Sequence, residues 1–112
     1  MEGTRPFPRF KRRLTVRYAL SGRDWRPGFT RNLSASGLFV EARHLEPPGT
    51  KVEMEIDVPR KGTVHLMGEV IWGRSVGRGM ERVALGGFGV RVVQADEGWY
   101  QFCLALGDPY RG

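Results

Sequence analysis

Lys51 to Val58 sets the first constraint on this chain. Val52, Met54, Ile56 and Val58 alternate with Lys51, Glu53, Glu55 and Asp57 without a break. A period of two fits an extended strand with one buried and one wet face. Such a strand is not stable alone, so the remaining chain must supply partners. Leu14, Val16, Tyr18 and Leu20 alternate with Thr15, Arg17 and Ala19, which predicts a strand over residues 13–20. Ser21-Gly22-Arg23-Asp24 is a turn. Residues 25–31 read as a second strand, with Pro27-Gly28 as a bulge or edge feature. A polar turn at residues 32–37 leads into a third strand that starts at Leu38 and ends near Ala42. Pro47-Pro48-Gly49 is a connection, and Pro59-Arg60-Lys61-Gly62 is a turn. From Thr63 to about Ser75 a long strand passes through Leu66, Val70 and Trp72, with Gly68 as a candidate kink. Residues 76–86 are glycine-rich and read as a mobile loop, and residues 87–93 read as the last strand.

Beyond that point the period changes. Trp99, Phe102, Cys103 and Leu106 recur at i, i+3, i+4 and i+7, the apolar stripe of a helix. Asp96 is placed to cap its start, and Gly107 and Pro109 to end it. Six or so short strands and then one helix predict an all-β domain: a small antiparallel barrel with the helix packed on it. The expected organisation is a flexible basic leader over residues 1–12, a barrel and helix over 13–106, and a tail over 107–112.

Composition matters here mainly through charge. Of 112 residues, 40% are hydrophobic and 27% charged, which fits one folded domain. No apolar run approaches the length of a membrane span, and the start of the chain lacks the apolar core of a signal peptide. The single cysteine, Cys103, excludes an internal disulfide and fits a reducing cytoplasm. The net charge is +6, yet nine of the 18 basic residues fall in residues 1–31 beside only Glu2 and Asp24. Attraction for anions is therefore concentrated at the N-terminal end.

Two stretches carry chemistry. Asn32-Leu33-Ser34-Ala35-Ser36-Gly37 offers an amide, two hydroxyls and a bare backbone, a grip for the polar edge of a small ligand. Upstream, Arg5-Pro6-Phe7-Pro8-Arg9 holds two arginines on a stiff extended segment, and arginine forks pair phosphate or guanine bidentately. Together these two stretches suit one anionic, guanine-bearing ligand.

An RxxxR leader with [D/N]xSxxG some twenty to thirty residues later resembles the PilZ domain family. Leu38-Phe39-Val40, Gly68-Glu69-Val70-Ile71-Trp72 and Gly89-Val90-Arg91-Val92 resemble it in order and spacing as well, so the likeness covers roughly residues 4–106. It implies a six-stranded barrel that binds the bacterial second messenger cyclic di-GMP. Arg5 and Arg9 would contact phosphates and guanine O6 and N7, Asn32 and Ser34 would bond the guanine edge, and Gly37 would leave room for the base. Arg9 to Arg13 also reads RxxxR; Arg5 and Arg9 are preferred because Arg13 begins the first expected strand. Arg13, Ser36 and Trp72 are additional candidates for ligand contact, although the strand alternation puts Trp72 in the barrel core.

The expected function is a stand-alone receptor with no cofactor. Ordering of its leader around cyclic di-GMP would signal to an unidentified partner protein. Monomer or weak dimer, no membrane and no specific nucleic acid complete that expectation. The alternative is a PilZ-like adaptor that binds protein without nucleotide. A nucleic-acid binder would need basic and aromatic residues spread along a groove. No nucleophile–base pair appears, so no enzyme is expected. His44 and His65 lack partners at metal-ligand spacing. Glu53, Glu55 and Asp57 read as the charged outer face of a strand.

Overall fold

The computed structural model describes residues 9–20, 23–43, 45–74 and 86–107. They form β1 (Phe10–Lys11), β2 (Thr15–Leu20), β3 (Arg23–Leu33), β4 (Gly37–Glu41), β5 (Lys51–Val58), β6 (Gly62–Arg74), β7 (Gly87–Ala95) and α1 (Glu97–Leu106). Strand order is β1-β3-β2-β5-β6-β7-β4, all antiparallel, and pairing of β3 with β4 closes β2 to β7 into a six-stranded barrel. Closure removes the open edges that would otherwise invite another chain. β1 lies outside the ring as an extra strand on β3, with Phe10 opposite Leu33 and Lys11 opposite Asn32.

The alternation of residues 51–58 is realised over those bounds. Val52, Met54, Ile56 and Val58 point into the barrel and meet Val16, Tyr18, Val64, Leu66, Val70, Phe88 and Val90 in one core. Outside, Arg17 bonds Glu55 at 3.2 Å and Asp57 at 3.2 Å, and His65 Nε2 lies 3.2 Å from Glu55. The Arg17 guanidinium, with help from the Thr63 hydroxyl, holds the Asp57 carboxyl below its ordinary value. These outward carboxylates are thus accounted for by ion pairs. α1 packs on the barrel. Trp99 and Cys103 are buried, and Phe102 and Leu106 pack against the core.

Several expectations change. Residues 10–11, expected within the flexible leader, are paired as a strand. The strand expected from Arg13 begins at Thr15, and Leu20 is 40% exposed rather than inward. Pro27 and Gly28 sit in regular register opposite Arg17 and Val16. Gly28 is needed there because a Cβ would come 2.8 Å from the Glu41 carbonyl oxygen. The bulge of β3 against β4 lies instead between Thr30 and Asn32. Near the expected kink at Gly68 the irregularity lies on β7, where Val93 is the extra residue between Val92 opposite Gly68 and Gln94 opposite Met67. Asp96 precedes α1 with extended dihedrals, but its side chain caps nothing; it accepts from the His65 N–H at 2.8 Å. Arg23 and Asp24, expected in the first turn, begin β3. Ser21 and Gly22 of that turn, all of the loop expected over residues 76–86 except Gly86, His44, Arg5 and residues 108–112 of the expected tail lie outside the described residues.

Burial pushes the Cys103 thiol and the Tyr18 phenol each up to about 12, desolvation being the largest cause for both. In the unfolded chain the thiol and the phenol ionise near their ordinary values of 9.0 and 10.0. The unfolded state then binds fewer protons than the fold, and stability falls as pH rises from about 9 to about 12. Denaturant unfolding across that range should show this loss, and Cys103→Ala should show less of it. An equal decline in both proteins would assign the alkaline sensitivity to other groups.

Candidate functional site

Two bulges build the site. In β3, Thr30 lies opposite Val40 and Asn32 opposite Phe39, so Arg31 is one residue too many for its partner strand. In β6, Val70 lies opposite Val90 and Trp72 opposite Gly89, so Ile71 is the extra residue. An extra residue reverses the inside–outside phase of the strand beyond it. Leu33, Leu38, Val90 and Val70 therefore form a buried inner row across four strands. Next to it runs an outer row of Lys11, Asn32, Phe39, Gly89 and Trp72, contributed by β1, β3, β4, β7 and β6 in turn.

This outer row is the floor of a cleft of about 410 Å³ lined by Arg9, Lys11, Arg31, Asn32, Leu38, Phe39, Trp72 and Gly89. The size is ordinary for a small-molecule site. Trp72, expected in the core, is 46% exposed because the Ile71 bulge turns it outward. Its ring lies 5.1 Å from that of Phe39, centroid to centroid, with a 33° tilt. Phe39 is buried but lies outside the core cluster. β7 accommodates both rings by having no side chains beneath them. A Cβ on Gly87 would come 2.6 Å from the Phe39 ring, and one on Gly89 would meet Trp72 Nε1 and lie 2.8 Å from its Cε2.

Arg9 and the turn meet at the other end of the cleft. Arg9 Nη1 donates to Asn32 Oδ1 at 2.7 Å, and Arg9 Nη2 stands 3.3 Å from where a Gly37 Cβ would be. Arg9, Asn32 and Gly37 are thus brought together, and Gly37 is bare where the guanidinium passes. A side chain there would also meet the Val90 carbonyl oxygen at 2.9 Å. Ser34 is buried, and its hydroxyl donates to the Gly37 carbonyl oxygen at 3.3 Å, with Ser36 Oγ at 3.4 Å. Its role in this structure is to hold the turn.

The turn is anchored from behind. The Ser34 N–H donates to the Gly37 carbonyl, the Val92 N–H to the Ser36 carbonyl and Trp99 Nε1 to the Ala35 carbonyl, at 2.8, 2.9 and 3.3 Å. Consecutive carbonyls are tied inward, so the polar face the turn shows the cleft is fixed. Arg13 does not join the cleft; its guanidinium bonds Glu41 at 3.0 Å and lies 4.0 Å over the Phe29 ring.

Lys11, Arg31, Phe39 and Gly89 are site residues that sequence reasoning missed. The uninterrupted apolar run Leu38-Phe39-Val40 was the available signal for Phe39, since one of three neighbours in a strand must face outward.

Gly89→Ala tests the aromatic floor. Its Cβ must push the Trp72 ring off β7, so the near-ultraviolet tryptophan signal should change while the unfolding temperature moves by only a few degrees. An unchanged Trp72 environment would show that the ring does not rest on Gly89.

A family model described as PilZ domain matches residues 4–99. Among solved structures, the Bacillus subtilis inhibitor of motility MotI/DgrA superposes with a TM-score of 0.74 at 14% identity, covering 95% of this chain and 52% of that one. The PilZ domain of YcgR from Escherichia coli, solved with c-di-GMP, superposes with a TM-score of 0.65 at 15% identity, covering 89% of this chain and 86% of that one. The chain thus spans about half the length of the first and most of the second, and at these identities the likeness is one of fold. A search of curated proteins gives no match.

Proposed function

The chain belongs to the PilZ domain family, and from that premise we propose that it is a receptor for cyclic di-GMP that signals by ordering its basic N-terminal segment around the ligand. The observation that carries this reading is the junction of Arg9 with Asn32 and Gly37 at one end of a cleft whose other end is the exposed Trp72 ring. Cyclic di-GMP carries two phosphates and two guanines. Guanidinium forks match the phosphate oxygens and the guanine O6/N7 edge. A half-exposed indole offers a flat apolar surface to a purine. Arg9, Lys11 and Arg31 bring positive charge to the same cleft.

Arg5 is the second arginine of the proposed pair. The engagement of Arg13 with Glu41 and Phe29 supports Arg5/Arg9 as the register over Arg9/Arg13. β1 pairs with β3 right at Asn32 and Leu33, so a ligand that pulls on Arg9 pulls on a strand already in the sheet. That gives the bound state a route to a changed surface for a partner protein. The reading assigns binding and relay in the cytoplasm, and no reaction.

A calorimetric titration with cyclic di-GMP, with GTP as the control, tests the reading. Saturable binding at micromolar concentration or tighter, and none by GTP, is the expected result. The absence of both heat and a thermal shift at high ligand concentration would overturn it.

A further inference from the structure

We propose that Arg31 is a further ligand-binding residue of this cleft, held in reserve by Glu41, and that an arriving phosphate takes it from that carboxylate. The inference rests on the receptor reading above and deepens it. Arg31 is the extra residue of the β3 bulge, and it lines the cleft beside Asn32. Its guanidinium carbon lies 5.7 Å from the centroid of the Phe39 ring, within reach of a cation–π contact that steadies it over the floor of the site.

Its one ion pair among the described residues is loose. Arg31 Nε stands 3.5 Å from Glu41 Oε2, well beyond the distance of a strong charge-assisted hydrogen bond. Among the described residues its two terminal nitrogens have no hydrogen-bond partner, so the fork that suits a phosphate is uncommitted. Glu41 has a better partner than Arg31, since Arg13 Nη1 donates to its other oxygen at 3.0 Å. Handing Arg31 to a phosphate therefore leaves the carboxylate paired rather than stranded. The Glu41 side chain is only 15% exposed, so water screens its charge poorly and it opposes an incoming dianion. Glu41 thus lowers affinity twice, by occupying Arg31 and by repelling the ligand.

The test is a four-protein titration with cyclic di-GMP at one fixed ionic strength: wild type, Arg31→Ala, Glu41→Gln and the double variant, each checked for folding by its unfolding temperature. Arg31→Ala should weaken binding about tenfold or more, and Arg31→Lys, which lacks the planar fork, should restore only part of it. Glu41→Gln should tighten binding about threefold or more, and in the Arg31→Ala background the same change should tighten it by a clearly smaller factor, the part due to repulsion alone. Binding by Arg31→Ala within twofold of wild type would overturn the proposal, as would weaker binding by Glu41→Gln. Equal tightening by Glu41→Gln with and without Arg31 would overturn it too, showing a general field effect. If Arg31→Ala does not fold, Arg31→Gln takes its place in the cycle. Absence of binding by the wild type would instead defeat the receptor reading itself.

Discussion

Arg9→Ala is expected to weaken cyclic di-GMP binding by about 2–4 kcal/mol, or about 30- to 1000-fold, with almost no change in the unfolding temperature. The size comes from position. Arg9 is the residue that joins the N-terminal segment to the turn, through Asn32 at 2.7 Å and past the bare Cα of Gly37. Truncation removes a fork that suits phosphate and guanine alike, and it frees the Asn32 amide from its partner. The fold does not lean on Arg9, which precedes β1 and is exposed. Calorimetry gives the affinity and a thermal melt gives the control. Arg9→Lys keeps the charge and loses the fork, so it should recover only a small part of the loss. Affinity within a few-fold of wild type in Arg9→Ala would show that the ligand does not bind between this arginine and the turn.

Trp99→Ala should have the largest effect on stability, about 3–5 kcal/mol. Trp99 is fully buried, heads the set of large interior side chains and seats α1 on the barrel. In a domain of this size each kcal/mol shifts the melting temperature by several degrees, so the loss should exceed about 10 °C. The same indole donates to the Ala35 carbonyl inside the turn. Trp99→Phe separates the two roles, keeping most of the apolar volume and dropping the N–H. It should cost much less stability, yet it should still weaken ligand binding, because the turn loses one of its anchors from behind. Binding by a folded Trp99→Phe protein equal to wild type would limit Trp99 to packing.

Much of this was legible from the residues. The strict alternation of Lys51–Val58 has one solution, and the helix was visible because Trp99, Phe102, Cys103 and Leu106 keep a different period. The turn expected over residues 32–37 could be read from its small polar residues and Gly37, but it spans only residues 34–36, with Asn32 and Leu33 ending β3 and Gly37 starting β4. The placement of Trp72 could not. Counting in twos from Val70 puts it inside, and only the match of Ile71-Trp72 against the single Gly89 turns it out. A bulge is a property of two strands, so neither strand's sequence announces it. The same holds for Arg31 and Asn32 against Phe39. Nothing in the expected strand over residues 87–93 gave Gly87 and Gly89 a purpose; it appears once the Phe39 and Trp72 rings are seen to lie against them. β1 was hidden for another reason: two residues are too few to show any period.

The two bulges also uncouple the packing of the core from the choice of residues at the surface. Arg31 and Ile71 have no cross-strand partner of their own in these pairings, so deleting either one would leave the other pairs of its ladder in place. Asn32 would still face Phe39, and Trp72 would still face Gly89. The barrel thus holds two optional letters, of which Arg31 lines the cleft and Ile71 is exposed on β6. One carries a cation and the other an aliphatic group, and each can be rewritten or dropped while the inner row keeps its count.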